Sequence, residues 1–185
     1  MLDVPPRLLA ERKRLGHDRF DEMWEGELHM VPPPSEEHQR IGTLLCAALV
    51  PIANQAGVHV RYETGLFDPS YPADESYRQP DLMVFDESVR SARGVEGAAL
   101  LVIEIRSPGD ETFEKQPFWE RVGVAEVVVI ERDDKSVRRW TRRGGGLAEA
   151  ERAADGSHHL DALDVTLATR DGRLVVTTAT TESVI

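Results

Sequence analysis

The sequence has little cysteine: Cys46 is the single one among 185 residues. One cysteine excludes an internal disulfide and any zinc site that needs several cysteine ligands. Free cysteines in globular proteins are mostly buried and behave as small hydrophobic residues, which is the role expected of Cys46.

The sequence also lacks long apolar segments. No apolar run approaches the roughly 20 residues that a helix needs to cross a bilayer, so no membrane partner is expected. Residues 1–7 do not form the apolar core of a secretory signal, and the cytoplasm is the expected location. A Gly-x-Ser-x-Gly elbow and Gly-rich phosphate-binding loops are absent, which excludes the hydrolases and nucleotide-binding proteins that depend on them.

Positive charge is scarce. Lys and Arg number 22 against 33 Asp and Glu, a formal net charge of −11. This balance disfavours tight, non-specific binding of nucleic acid, which requires cations to neutralise phosphates. Basic clusters at residues 12–14 and 138–143 leave the question open, because a local basic surface can act within an acidic chain. The alternative is that both are ordinary solvated faces.

What the sequence contains indicates one globular domain over residues 1–185. Hydrophobic residues make up 41% and charged residues 30%, as in ordinary globular proteins. The length allows a sizeable core, and neither an internal repeat nor an interdomain linker is visible.

Local patterns place the helices and strands. Residues 3–23 predict a short helix followed by a turn, and residues 23–31 predict a tight hairpin. Ser35 is expected to cap a long helix that Pro51 kinks or ends and Gly57 closes. A second helix is expected over residues 111–122, kinked or shifted in its start by its proline. The predicted strands cover residues 58–62, 65–67, 79–85, 98–105, 126–130, 136–141, 161–167 and 174–178, the last two as edge strands.

This order of elements is typical of a single α/β or α+β domain with a mixed sheet. The weakest signal lies in the C-terminal region, residues 147–185. There, His158 and His159 are expected to be a surface pair, because no third ligand for a metal is evident.

Glu104 is the anomaly of the sequence. It lies among seven apolar residues, Ala98–Ile103 and Ile105, that predict a strand buried on both faces. A carboxylate in such a strand is costly to desolvate unless it is neutralised, hydrogen-bonded or bound to a cation. A salt-bridged structural role is the alternative to a functional site.

Asp81 is the natural companion of Glu104. It precedes another apolar strand, and if the two strands are neighbours, both carboxylates can converge on one cation. Mg²⁺ and Mn²⁺ take oxygen ligands and keep several waters, so two carboxylates suffice when a phosphate completes the shell. Such an ion polarises a phosphodiester and makes bound water a better nucleophile. A turn aspartate is the structural alternative.

A positive side chain is also needed beside a phosphodiester, and Arg106 and Lys115 compete for this role. Arg106 shares a strand face with Glu104, being two positions later. Lys115 lies on the following helix and can reach back over the end of the strand. Arginine is a permanent cation and a poor proton-transfer group, so the chemistry favours Lys115.

These residues carry a resemblance to a known family. Pro80-Asp81, Glu104-Ile-Arg-Ser-Pro108, Lys115, Trp119 and Gly123-Val-Ala-Glu126 resemble the Uma-type family of restriction endonucleases, within the PD-(D/E)xK nuclease superfamily. The resemblance covers residues 18–142. It implies a restriction endonuclease-like mixed sheet core flanked by helices with added β-hairpins, a Mg²⁺- or Mn²⁺-dependent endonuclease, DNA as substrate and a homodimer.

The resemblance also implies roles for individual residues. Asp81 and Glu104 match the metal-binding carboxylates, and Lys115 matches a catalytic lysine that has moved from the strand onto the next helix. His38 and Arg106 are candidates for substrate binding, with the alternative for His38 that it satisfies a loop carbonyl. Glu37 is a candidate further metal ligand, but its place in the first turn of a helix suffices to explain it.

The chain departs from the family pattern at several positions. The segment between Pro108 and Lys115 is short, and Glu111 and Trp119 replace an aspartate and a tyrosine. The alternative function is therefore a catalytically impaired descendant that keeps the fold as a nucleic-acid or protein interaction module.

Overall fold

The computed structural model describes residues 5–72 and 74–185. Its α-helices are α1 (Pro6–Leu15), α2 (Glu36–Ala56) and α3 (Gln116–Arg121), and short 3₁₀ helices cover His17–Phe20, Glu87–Val89 and Phe113–Lys115. The strands are β1 (Glu22–Trp24), β2 (Glu27–His29), β3 (His59–Tyr62), β4 (Leu66–Phe67), β5 (Tyr77–Arg78), β6 (Leu82–Phe85), β7 (Val95–Glu96), β8 (Leu101–Arg106), β9 (Glu126–Glu131), β10 (Val137–Arg143), β11 (Gly146–Glu149), β12 (His158–Leu160), β13 (Val165–Arg170), β14 (Arg173–Thr177) and β15 (Glu182–Val184).

A six-stranded mixed sheet in the order β11-β10-β9-β8-β6-β3 forms the centre of the fold. Strands β8 and β9 run parallel, and every other neighbouring pair in this sheet is antiparallel. A five-stranded sheet (β2-β1-β5-β4-β7) and a four-stranded sheet (β12-β13-β14-β15) complete the architecture. The expected α+β fold with a mixed sheet is confirmed.

The central sheet is buried on both faces, because successive side chains of its strands enter two different apolar clusters. On β8, Leu101 and Ile103 pack into the cluster that contains α2 and the four-stranded sheet. Val102 packs into the second cluster, with Phe118 and Trp119 of α3. Glu104 lies two residues after Val102 and therefore points toward the second cluster.

Helix α2 begins and ends where its cap residues predict. Ser35 Oγ accepts a hydrogen bond from the backbone N–H of His38 at 3.3 Å, and Gly57 takes the left-handed conformation with φ of 73°. The helix runs through Pro51 to Ala56, so of the two outcomes predicted for Pro51, a kink or an end, the end does not occur, and Gly57 closes the helix as predicted. The buried stripe continues past this proline to Ala53, and its packing holds the last turn in place.

The hairpin of residues 23–31, the strands between residues 58 and 141 and the shifted start of α3 at Gln116 agree with the predictions. Two details differ. The polar loop of residues 68–79 contains the two-residue strand β5, which pairs with both β1 and β4, and the loop before β8 contains the two-residue strand β7, which pairs with β4. Such a strand is too short to show a period in sequence.

The C-terminal region corrects two predictions. Strands β13 and β14 are the central strands of the four-stranded sheet and not edge strands, because β12 and β15 pair on either side of them. His158 is buried at 3% exposure and its Nε2 lies 3.1 Å from the carbonyl oxygen of Val137, so it is no surface residue. Its neighbour His159 is half exposed, because successive residues of a strand face opposite sides.

Cys46 is half-buried and packs against the first cluster. In the part of the chain that the structure describes, no helix is long and apolar enough to span a membrane.

Candidate active site

Asp81 and Glu104 come together because β6 and β8 are antiparallel neighbours. Leu82 pairs with Ile103, which places Asp81 one residue before this pair and Glu104 one residue after it. Asp81 Oδ2 accepts a hydrogen bond from the backbone N–H of Ile105 at 2.6 Å. The condition for a shared site, that the two strands are neighbours, is met.

Glu104 is 4% exposed. Burial is the main reason that its pKa rises to about 8, because the charged form loses its hydration. The carboxylates of Asp81 and Glu22 raise this pKa further, while the ammonium of Lys115 opposes them. The charged form of Glu104 is therefore only partly stabilised by its neighbours.

Lys115 ends the 3₁₀ helix that precedes α3. Its Nζ lies 3.3 Å from Glu104 Oε1 and 2.9 Å from Glu22 Oε1. Burial alone would disfavour the ammonium, but the two carboxylates outweigh it and raise the pKa of Lys115 above its ordinary value. The side chain is therefore a stable cation next to Glu104, as expected from the sequence.

Glu22 is the member of this group that the sequence did not reveal. It is the first residue of β1, is 1% exposed, and accepts hydrogen bonds from the Gln79 backbone N–H and the Trp24 indole N–H, both at 2.8 Å. A glutamate beside two apolar residues at a strand start is a common pattern, and no local signal distinguishes it. Its partner Lys115 lies 93 residues further along the chain.

His38 contacts Asp81 from the first turn of α2. Its Nε2 lies 3.2 Å from Asp81 Oδ2, and the pKa of His38 is raised because this hydrogen bond and charge outweigh burial, which lowers it. Within the described residues, the buried Nδ1 of His38 has no hydrogen-bond partner. The predicted residues thus form two contacting sets, His38 with Asp81 and Lys115 with Glu104 and Glu22, and the hydrogen bond between Asp81 and the backbone of Ile105 joins them.

The comparisons with known proteins identify the family. A family model described as "Putative restriction endonuclease", that of Uma2, matches residues 11–174. The chain belongs to the Uma2 family. No curated protein matches it at a significant level.

Chains of known structure match this Uma2-family chain, and one of them is a protein from Anabaena variabilis. Its title calls it "a putative nuclease belonging to DUF820". The TM-score is 0.61 at 17% sequence identity, with 78% of this chain and 83% of that chain covered. The two proteins share a fold, and this likeness agrees with the expected restriction endonuclease-like architecture.

The segment between Pro108 and Lys115, where the chain departs from the family pattern, forms a turn that the Asp110 side chain stabilises. The Asp110 carboxylate accepts hydrogen bonds from the backbone N–H groups of Ser107 at 2.6 Å and Thr112 at 3.1 Å. Glu111 lies 3.0 Å from His29 of β2. Although the segment is short, this turn places Lys115 next to Glu104.

Arg106 makes its contacts away from this group. Its guanidinium lies 3.0 Å from Glu131 on β9 and 4.9 Å from the centre of the Phe113 ring. No ion pair joins Arg106 to Asp81 or Glu104 among residues 5–72 and 74–185. Its role in substrate binding stays a prediction.

Glu37 likewise has other partners. It forms ion pairs with Arg40 at 2.7 Å and Lys135 at 2.8 Å, and hydrogen bonds from these two side chains lower its pKa to about 2. These contacts join the first turn of α2 to the β9–β10 turn. They favour the structural interpretation of Glu37 over a metal-binding one.

The donor set of the site suits a hard divalent cation. No group of three or more His, Cys, Asp or Glu that could hold a metal occurs in the described part of the chain. Two carboxylates, Asp81 and Glu104, are nevertheless what Mg²⁺ needs when water and substrate phosphate supply the remaining oxygens. The raised pKa of Glu104 is the mark of a carboxylate whose charge a cation would stabilise.

Proposed function

We propose that the chain is a divalent-metal-dependent endonuclease that hydrolyses phosphodiester bonds in DNA. The observation that carries this proposal is the position of the Lys115 ammonium, 3.3 Å from Glu104, whose strand β8 pairs with β6, the strand that Asp81 precedes. Membership of the Uma2 family and the fold shared with a protein titled a nuclease support it.

Asp81 and Glu104 would hold Mg²⁺ or Mn²⁺. When bound, such an ion polarises the phosphodiester and activates water. The remaining chemistry belongs to the chain: the backbone N–H of Ile105 orients Asp81, and β8 fixes Glu104 in a desolvated position. Burial strengthens each electrostatic interaction with the phosphate, because little solvent screens it.

Lys115 acts as a cation in this scheme. Because its pKa is raised, the side chain stays an ammonium and does not remove a proton from water. It donates hydrogen bonds to the phosphate or to the attacking water and stabilises the negative charge that develops in the transition state. His38, hydrogen-bonded to Asp81, is proposed to position that carboxylate or to contact the substrate.

The experiment compares DNA cleavage by the purified protein and three variants, Asp81→Asn, Glu104→Gln and Lys115→Met, with Mg²⁺ or Mn²⁺ on supercoiled and linear DNA. Each variant is expected to lose about 100-fold or more in rate. Glu149→Gln is the matched control, because Glu149 pairs with Arg138 on the surface, and it should retain full activity. Cleavage that survives Glu104→Gln or excess EDTA would contradict the site.

The contacts made by arginines of the basic clusters favour a second candidate function, a catalytically impaired interaction module. Arg138 is paired with Glu149, Arg139 with Glu126, and Arg12 with Asp21. Arg142 donates to backbone carbonyl oxygens. These arginines are already neutralised or occupied, so they offer little attraction to DNA phosphates. Binding of DNA without cleavage under every metal condition would select this candidate.

The expected homodimer and cytoplasmic location stay predictions. Sedimentation equilibrium of the full chain, with and without DNA, tests the oligomeric state.

A further inference from the structure

The ammonium of Lys115 lies between two buried carboxylates, and the nearer of the two is outside the metal pair. Lys115 Nζ is 2.9 Å from Glu22 and 3.3 Å from Glu104. We propose that Glu22 anchors Lys115, so that the ammonium stays in the site when a divalent cation binds Asp81 and Glu104. This inference rests on the proposed metal-dependent function and assigns Glu22 a positioning role.

The reason is competition between two cations for one carboxylate. A divalent ion on Glu104 repels the ammonium and takes over the carboxylate that holds it. With Glu104 as its sole partner, Lys115 would either exclude the metal or leave the site when the metal enters. Glu22 removes this conflict by giving the ammonium a second negative partner.

Lys115 is the cation that contacts Glu22 directly. The other partners of Glu22, the Trp24 indole and the Gln79 backbone, are neutral N–H donors. In the described residues, the ion pair with Lys115 is the one ion pair that Glu22 forms, although its charge also acts on Arg78 at longer range. Lys115 is therefore the main cationic partner of Glu22.

The anchor is also held rigidly. Trp24 stacks on the His29 ring at 3.8 Å and on the Arg78 guanidinium at 4.2 Å, so two neighbouring side chains hold the indole that binds Glu22. Gln79, whose N–H binds Glu22, lies two residues before Asp81. The hairpin of β1 and β2 and the strand of Asp81 thus position the same carboxylate.

The test measures Mn²⁺ binding by titration calorimetry without DNA. Glu22→Gln keeps the size of the side chain and removes its charge, and it should weaken Mn²⁺ binding by about 10-fold, the usual lower range for an outer-shell partner. Glu27→Gln is the matched control, because it makes the same change of charge on an exposed side chain of the same hairpin. It should change the affinity by less than about twofold.

A double-mutant cycle shows whether Glu22 acts through Lys115. In the Lys115→Met background, Glu22→Gln should weaken Mn²⁺ binding by less than about twofold, because the ammonium to be positioned is gone. An equal loss in both backgrounds would overturn the proposal, as would equal losses from Glu22→Gln and Glu27→Gln. Failure of the unaltered protein to bind Mn²⁺ would also overturn it.

A second measurement covers the case in which Lys115→Met does not fold. The NMR signal of the buried Lys115 ammonium should persist when Mg²⁺ is added to the unaltered protein and broaden in Glu22→Gln. Persistence in both proteins would overturn the anchor. DNA cleavage is assayed on the same samples. If Glu22 and Lys115 are coupled but DNA is not cleaved, the proposed nuclease function is contradicted and the anchor is not. If DNA is cleaved but the two residues are not coupled, the anchor is contradicted and the nuclease function is not.

Discussion

The buried carboxyl group of Glu104 makes the protein's stability depend on pH. Its pKa is about 8 in the folded chain against an ordinary value of 4.5. Between these two values the folded state binds more protons than the unfolded state. The free energy of unfolding therefore falls as pH rises through this window, because the folded protein must give up a proton that the unfolded chain has already lost.

Glu104→Gln should remove this dependence. Without a metal, the free energy of unfolding of the variant should rise relative to that of the unaltered protein as the pH increases from about 5 to about 8. His38, whose raised pKa acts in the same direction, is present in both proteins and cancels in the difference. Urea denaturation at several pH values measures the effect.

Glu149→Gln is the control for this series, because the pKa of Glu149 is lowered by its hydrogen bond with Arg138 and lies below the window. Parallel stability curves for Glu104→Gln and the unaltered protein would show that Glu104 titrates at its ordinary pKa.

At the scale of elements, Gly42 allows α2 to lie against the edge strand β3. A Cβ atom at this position would lie 2.5 Å from Cε2 of the Tyr62 ring. Tyr62 donates a hydrogen bond to Gln39 Oε1 at 2.8 Å, and Gln39 in turn donates to Glu63 at 2.8 Å. Gln39 follows His38 in the helix, so this contact borders the candidate site.

Gly42→Ala should destabilise the protein although alanine favours helices more than glycine by about 1 kcal/mol. Displacing the Tyr62 ring should lower the free energy of unfolding by about 1–3 kcal/mol, as other overpacking substitutions do. Urea denaturation measures the loss. Thr43→Ala, on the exposed side of the same turn, should have little effect, and Tyr62→Leu should restore part of the loss in the double variant. Equal stability of Gly42→Ala and the unaltered protein would contradict this packing.

The proline residues show which features of a helix the local sequence determines. Pro117 falls in the first turn of α3, where a missing N–H costs nothing, and the sequence predicted this shift. Pro51 lies within α2, and the sequence left open whether it kinks or ends the helix before Gly57. Continuation depends on the buried side chains of Leu49 and Ala53 on either side of it, and their packing partners lie in distant strands.

At the scale of the whole molecule, the C-terminal sheet shares a core with the candidate site's sheet. Leu160, Leu167 and Val176 belong to the same apolar cluster as Ile41 of α2 and Ile103 of β8. Residues 151–185 are therefore expected to fold together with the rest of the chain and to form the single domain that the sequence predicts.

Leu167→Ala tests whether the C-terminal sheet unfolds together with the rest of the domain. Leu167 is fully buried, and its truncation should lower the free energy of unfolding by about 2–5 kcal/mol. All three tryptophans precede residue 141, so tryptophan fluorescence reports on the other part of the molecule. We expect one transition, shifted equally in fluorescence and in far-ultraviolet circular dichroism, whereas Thr166→Ala on the opposite side of β13 should shift neither. Two separate transitions would contradict a single domain.

The sequence by itself determined the local features. Apolar periodicity and cap residues predicted α2 and most strands, and a charge in an apolar strand singled out Glu104. The same reasoning paired Glu104 with Asp81 and Lys115, and these now lie together. Such features depend on neighbouring residues, whose spacing is visible in the chain.

Only the tertiary structure decided which distant groups meet. It brought Glu22 to Lys115, directed Arg106 to Glu131, and placed β13 and β14 at the centre of a sheet. The physical reason is that ion pairs and strand neighbours depend on sheet register and packing across tens of residues. A buried carboxylate at a strand start has no local signature, because the cation that makes its burial tolerable comes from another part of the chain.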